Sequence, residues 1–184
     1  MSVGRLFVAV SPPAPVVTAL TRAVDAVRDA PGAPRWVSPE SFHVTLAFLG
    51  DVPRARFAGL IGALGPVVDG ASPMTLQLDG AGRFGRRRPR VLWAGVAGDV
   101  DALSVVADRL AAAARHAGVP VEDRPLVPHL TLGRWPGTAQ ADPQLTDALV
   151  GEHGPAWAVS EVVLWRSPLG RPYERVTSWA THQA

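Results

Sequence analysis

His43-Val44-Thr45-Leu46-Ala47-Phe48-Leu49-Gly50 decides how the rest of the chain is read, because its opening pattern returns 86 positions later in His129-Leu130-Thr131-Leu132-Gly133-Arg134. Each stretch is short, apolar, partly β-branched or aromatic, and bounded by Gly or Pro, the composition of a strand. Side chains alternate across a strand. His43 and Thr45 are therefore expected on one face, with Val44, Leu46 and Phe48 on the other. In the second stretch His129 and Thr131 share a face opposite Leu130 and Leu132. The apolar faces need burial, and the His/Thr faces can line a cleft. Two such motifs close to half a chain apart predict two similar halves facing each other across one site that holds two imidazoles.

Outward from the motifs, strands and helices alternate. Arg5 to Val10 reads as a strand, and Ala14 to Arg28 as a helix with Val16, Val17, Leu20, Val24 and Val27 at helical spacing. Pro31 to Pro34 breaks that helix, and Arg35-Trp36-Val37 is a short extended piece before a turn at Ser38-Pro39-Glu40. A second helix is expected over Pro53 to Val68 with Phe57, Leu60, Ile61 and Leu64 on one side, weakened by three internal glycines. Met74 to Leu78 and Val91 to Val96 read as hairpin partners around a basic loop, Gly82 to Arg90. Asp99 or Asp101 can cap a long helix that runs to His116 and ends at Gly118. A short helix over Pro143 to Val150 follows the second motif, and Val159 to Trp165 with Tyr173 to Trp179 forms a closing hairpin. The predicted fold is α+β: two pseudo-symmetric lobes, each a mainly antiparallel sheet with helices on its outer face, and an active-site groove between them. Residues 1–184 are expected to form this one bilobal domain.

Composition narrows the chemistry. With 184 residues and 47% apolar content the chain can bury a sizeable core. Cysteine is absent, so no disulfide, thiolate metal site or thiol nucleophile is available. Net charge is a mild +2, and all 18 basic residues are Arg, so the basic isoelectric point carries little weight for a nucleic-acid partner. The apolar run after Met1 to Arg5 is too short for a secretory signal, and no stretch reaches the ~18 apolar residues of a membrane span. The expectation is a cytoplasmic protein that contacts no membrane.

An imidazole titrates near neutral pH and can give or take a proton there. Two of them flanking a substrate can divide the work, one accepting a proton from an attacking water and the other protonating a departing oxygen. That pairing suits in-line displacement at phosphorus. A Thr two residues after each His places a hydroxyl beside each imidazole, where with an Arg it can hold phosphoryl oxygens. Neither motif has an acidic neighbour, which is a poor match to a zinc site, so no metal and no other cofactor is expected.

His43-Val44-Thr45-Leu46-Ala47-Phe48-Leu49-Gly50 and Pro128-His129-Leu130-Thr131-Leu132-Gly133-Arg134 resemble the paired motifs of the two-histidine phosphoesterase superfamily. Within it they are most similar to the RNA 2′,3′-cyclic phosphodiesterases, also called 2′-5′ RNA ligases. The resemblance covers nearly the whole chain and includes Arg5 to Val10, Arg35-Trp36-Val37 and Arg90-Val91-Leu92-Trp93. It implies hydrolysis of a terminal 2′,3′-cyclic phosphate on RNA to a 2′-phosphomonoester, with reverse joining to a 5′-hydroxyl end. By carry-over, His43 is the proton donor to the departing 3′ oxygen, His129 the acceptor from water, and Thr45, Thr131 and Arg134 the phosphate holders. The partners implied are RNA ends or nucleotides bearing a 2′,3′-cyclic phosphate. A monomer is expected, because the duplication already supplies the second half-site. The chain departs from the family pattern at Leu126 and Val127, where an aromatic is common, and at Gly133, where Ala is more usual.

Two other readings stay open. The same chemistry can serve small cyclic phosphates of nucleotides or ADP-ribose derivatives, and the same scaffold can bind RNA ends without turnover. Other residues invite a role. The loop with Arg83, Arg86, Arg87, Arg88 and Arg90 can follow an RNA backbone or be a solvated hairpin tip. Trp135 and Phe84 are candidates for base stacking, whereas Trp36, Trp93, Trp165 and Trp179 read as core or lobe-interface residues. His116 suits a helix C-terminus, and His153 and His182 read as surface.

Overall fold

Nine strands and four helices build the described residues, 1–85, 90–122, 125–136, 143–150 and 154–182, of a computed structural model. In chain order they are β1 (Ser2–Val10), α1 (Ala14–Ala26), β2 (Arg35–Trp36), β3 (Val44–Pro53), α2 (Arg54–Asp69), β4 (Thr75–Phe84) and β5 (Val91–Gly98). There follow α3 (Val100–His116), β6 (His129–Arg134), α4 (Pro143–Val150), β7 (Trp157–Ala158), β8 (Glu161–Arg166) and β9 (Glu174–Ala180).

Every recorded pairing is antiparallel, in the order β7-β4-β5-β6-β3-β1-β8-β9, with β2 also on β6. The order is symmetrical about its centre. Along that path each lobe contributes four strands, β2 being the ninth, and in each the motif strand is innermost. Between β3 and β6 the ladder is a single pair, Val44 with Leu130. The lobes are interleaved along the chain, because β8 and β9 come back to complete the sheet of β1 and β3.

The helices bury the faces their spacing dictates. α1 turns Val16, Leu20 and Val24 inward, α2 Leu60, Leu64 and Val68, and α3 Leu103, Val106, Ala107, Leu110 and Ala114. α2 and α3 pack on each other and on β3, α2 also reaches β1 and β9, and α4 packs on β4. Asp99 holds the N-cap position of α3 with its carbonyl, which accepts from Leu103 N–H at 3.0 Å. Its carboxylate does not cap the helix and instead accepts the Thr75 N–H at 2.8 Å, tying α3 to β4.

The strands differ from the sequence reading in three places, each with a local cause. β3 runs on past Gly50 and β4 past Asp79-Gly80, because both glycines take positive φ (62° and 70°) and carry the strand through a kink that looks like a break in sequence. Arg83 and Phe84 thus lie on β4; Arg86, Arg87 and Arg88 lie outside the described residues. The β1–β3 register slips: Val8 pairs with Ala47 and Ala9 with Thr45, leaving Leu46 as an extra residue. Alternation inverts beyond that bulge. Ala47 and Leu49 are buried, and Phe48, expected on the apolar face with Val44 and Leu46, is 69% exposed. Trp135 is no stacking platform, for it is 4% exposed, with its indole N–H on the Gly32 carbonyl at 2.8 Å. Gly133 is buried where a Cβ would come within 2.5 Å of Pro34 Cγ, so this chain's proline explains the missing methyl.

Candidate active site

His43 stands one residue ahead of β3 and His129 opens β6, so the Val44–Leu130 pair brings both imidazoles to the seam between the lobes. Each ring is fixed in the same way. His43 Nδ1 lies 2.7 Å from the Ser41 carbonyl oxygen, and His129 Nδ1 lies 2.7 Å from that of Val127, both two residues upstream. A carbonyl can only accept, so both Nδ1 atoms carry the proton and both Nε2 atoms are left to titrate.

Aromatic rings box each imidazole. Phe7 lies 4.8 Å from His43 between ring centroids, and Tyr173 stands edge-on to it at 5.5 Å. Phe84 meets His129 edge-on at 4.8 Å, with Trp93 behind it at 6.3 Å. The Trp93 ring fits because its cross-strand partner is Gly82, where a Cβ would come within 2.3 Å of it.

One cavity of about 1070 Å³ is lined by His43, Thr45, His129, Thr131 and Arg134 together, so all five residues singled out in the sequence meet there. Phe7, Phe48, Phe84 and Tyr173 line it as well. His116 ends α3 and His182 sits near the C-terminus on the Asp69 carbonyl; neither lines the cavity, and His153 lies outside the described residues. The sequence offered little sign of Phe7, buried in an apolar run, whereas Tyr173 is the only tyrosine in the chain and could have been noticed.

Burial and a neighbouring guanidinium act on the titration of both imidazoles. Both imidazoles have pKa values held below the ordinary 6.5. Burial is the main cause in each, the hydrogen bond to the backbone carbonyl opposes it, and the positive charge of Arg134 lowers both further. His43 is also lowered by charge on His129, so the two rings sense each other. Among the described residues no three His, Asp or Glu side chains group to hold a metal ion. Two hydroxyls and a guanidinium are donors for the oxygens of a phosphate, and each imidazole joins them when its Nε2 is protonated.

A model of the 2′-5′ RNA ligase superfamily matches residues 12–171. The chain belongs to that superfamily. As a member it is similar to the RNA 2′,3′-cyclic phosphodiesterase of Geobacillus stearothermophilus, 35% identical over 148 residues, which is 78% of this chain and 46% of the relative. It is similar to the Escherichia coli protein of the same name, 32% identical over 182 residues and 97% of each chain. Against four of its relatives, that from Geobacillus included, this superfamily member spans about half of their length. The crystal structure of E. coli LigT complexed with 3′-AMP matches its fold with a TM-score of 0.79 and 30% identity, covering 98% of this chain and 99% of that one.

Proposed function

We propose that the chain is an RNA 2′,3′-cyclic phosphodiesterase that works by acid–base catalysis between His43 and His129, without a metal. The observation that carries this reading is the matched pair of imidazoles, each with Nδ1–H tied to a carbonyl and Nε2 free, on one cavity with Thr45, Thr131 and Arg134. The hydroxyls and the guanidinium bind the phosphoryl oxygens. His129 Nε2 takes a proton from water as the water oxygen bonds to phosphorus. The P–O3′ bond breaks in line, and His43 Nε2–H passes its proton to O3′, leaving the phosphate on O2′. Each such proton transfer contributes about 10²–10⁴ in rate.

This division of labour needs one proton on the pair, on His43. Burial holds the pKa of both rings down, and charge on His129 lowers that of His43 further, so the two titrate as a coupled pair. The anionic phosphate draws protons onto the pair, and the departing O3′ is the acceptor beside His43. With a 5′-hydroxyl in place of water the same steps join two RNA ends through a 2′-5′ phosphodiester. Residues 1–184 act as one bilobal domain and as a cytoplasmic monomer, since one chain supplies both half-sites. The curated names of the relatives support the reading. It is tested by incubating the protein with 2′,3′-cyclic nucleotides and oligonucleotides in EDTA: 2′-phosphate products are expected, and a strict metal requirement contradicts it.

A further inference from the structure

We propose that a second, apolar pocket beside the catalytic cavity binds the base of the nucleoside that presents a 5′-hydroxyl to the phosphate, so that the chain holds two nucleosides at once. The inference rests on the cyclic phosphodiesterase reading above. The pocket has a volume of about 450 Å³, within the ~300–1000 Å³ of small-molecule sites. Ala107 and Ala111 of α3 and the Leu126-Val127 segment supply its aliphatic walls. Phe48 and Phe84 line both this pocket and the catalytic cavity, so two aromatic rings stand where the spaces join.

Exposed hydrocarbon gathers there. Among the described residues five large hydrophobic side chains are exposed, and two of them, Phe48 at 69% and Val127 at 50%, face this pocket. Exposed apolar surface collected in a concave site marks a binding place. An aromatic face accepts any nucleobase. Asp108 and Arg115 on α3 bring an acceptor and donors for the edge of a base.

The side of phosphorus identifies the occupant. The pocket reaches His129 and Thr45 but not His43, Thr131 or Arg134. In-line displacement sets the entering oxygen beside the base and the leaving oxygen beside the acid. With His129 as base, the pocket lies on the entering side. Water needs no such pocket; a nucleoside whose 5′ oxygen enters does. In that step the 5′-hydroxyl proton passes to His129 and the 5′ oxygen bonds to phosphorus. The P–O3′ bond breaks, and O3′ takes the proton of His43. One P–O bond forms as one breaks, so no co-reactant is required, and cleavage of a 2′-5′ linkage is the same path reversed.

The test is Ala111→Trp, which fills the pocket from α3, assayed on 2′,3′-cyclic AMP and on the 2′-5′-linked adenosine dinucleotide. Expected is unchanged hydrolysis of the cyclic mononucleotide, with kcat/KM for cleaving the dinucleotide down on the order of 10-fold, through KM. Equal losses on both substrates, or no loss on either, overturn the proposal. Should thermal melting show that Ala111→Trp is unfolded, Ala111→Leu and inhibition of the native protein by free adenosine replace it. Adenosine is then expected to compete with the dinucleotide, and failure to compete overturns the proposal. If the native protein does not turn over 2′,3′-cyclic AMP at all, it is the phosphodiesterase reading that fails first.

Discussion

Val44 pairs with Leu130, and each is the residue that follows a motif histidine. Both are fully buried. The spacing of the two imidazoles is therefore held by a backbone bridge and by packed hydrocarbon rather than by the reach of flexible side chains. Groups fixed in this way act as a unit.

The first consequence is non-additivity. His43→Ala and His129→Ala are each expected to lower the hydrolysis rate of a 2′,3′-cyclic nucleotide by about 10²–10⁴. The double variant is expected to lose scarcely more than the worse single one. Rates from all three variants check this, and losses that multiply would show two independent contributions.

Stability should depend on acidity with a definite sign. Both imidazoles have folded-state pKa values below 6.5, so as pH falls through 6.5 the unfolded chain binds protons that the folded chain does not. Folding stability from these groups is thus fully present above that value and is lost as pH drops toward the lowered folded values. The melting temperature is expected to fall between about pH 7.5 and about pH 5.5, and to fall less in a His43→Gln, His129→Gln variant. Inorganic phosphate, which favours the charged rings, should protect more at the lower pH. An equal acid-induced fall in the variant would place the effect elsewhere.

Arg134 lowers the pKa of both imidazoles through its charge. Arg134→Ala should let both rise, so the whole pH profile of kcat/KM moves to higher pH. Loss of a donor to the phosphoryl oxygens should also cost on the order of 10² in rate. A purely structural role would lower the rate without moving the profile, and kcat/KM measured across the pH range separates the two.

Much of this was legible in the sequence, and the failures have local causes. Period-two alternation placed His43 with Thr45 and His129 with Thr131, and all four line one cavity with Arg134. The same rule misplaced Phe48, because the extra residue at Leu46 reverses the faces and nothing in the sequence marks a bulge without glycine. Gly80 at positive φ lets β4 continue past Leu78, where the strand was expected to end. Trp135, a candidate for base stacking in the sequence, is drawn inward by the Gly32 carbonyl, 103 positions away. The aromatic boxes around the histidines are built across strands, Phe7 on β1 and Trp93 on β5, and such pairs are invisible until the register is known.

Gly133 gives a test of packing. Although the usual family residue is Ala, Gly133→Ala should destabilise this chain by about 1–3 kcal/mol, because the new methyl meets the Pro34 ring. Adding Pro34→Ala should restore part of the loss. Thermal melts of the single and double variants decide, and a neutral Gly133→Ala would show that Pro34 yields freely.

The most direct measurement is product analysis of 2′,3′-cyclic AMP hydrolysis in EDTA by the native protein, His43→Ala and His129→Ala. Two histidines acting on one phosphorus should give adenosine 2′-phosphate from the native protein and almost none from either variant. Metal-dependent turnover, a 3′-phosphate product, or undiminished activity in either variant would contradict that assignment.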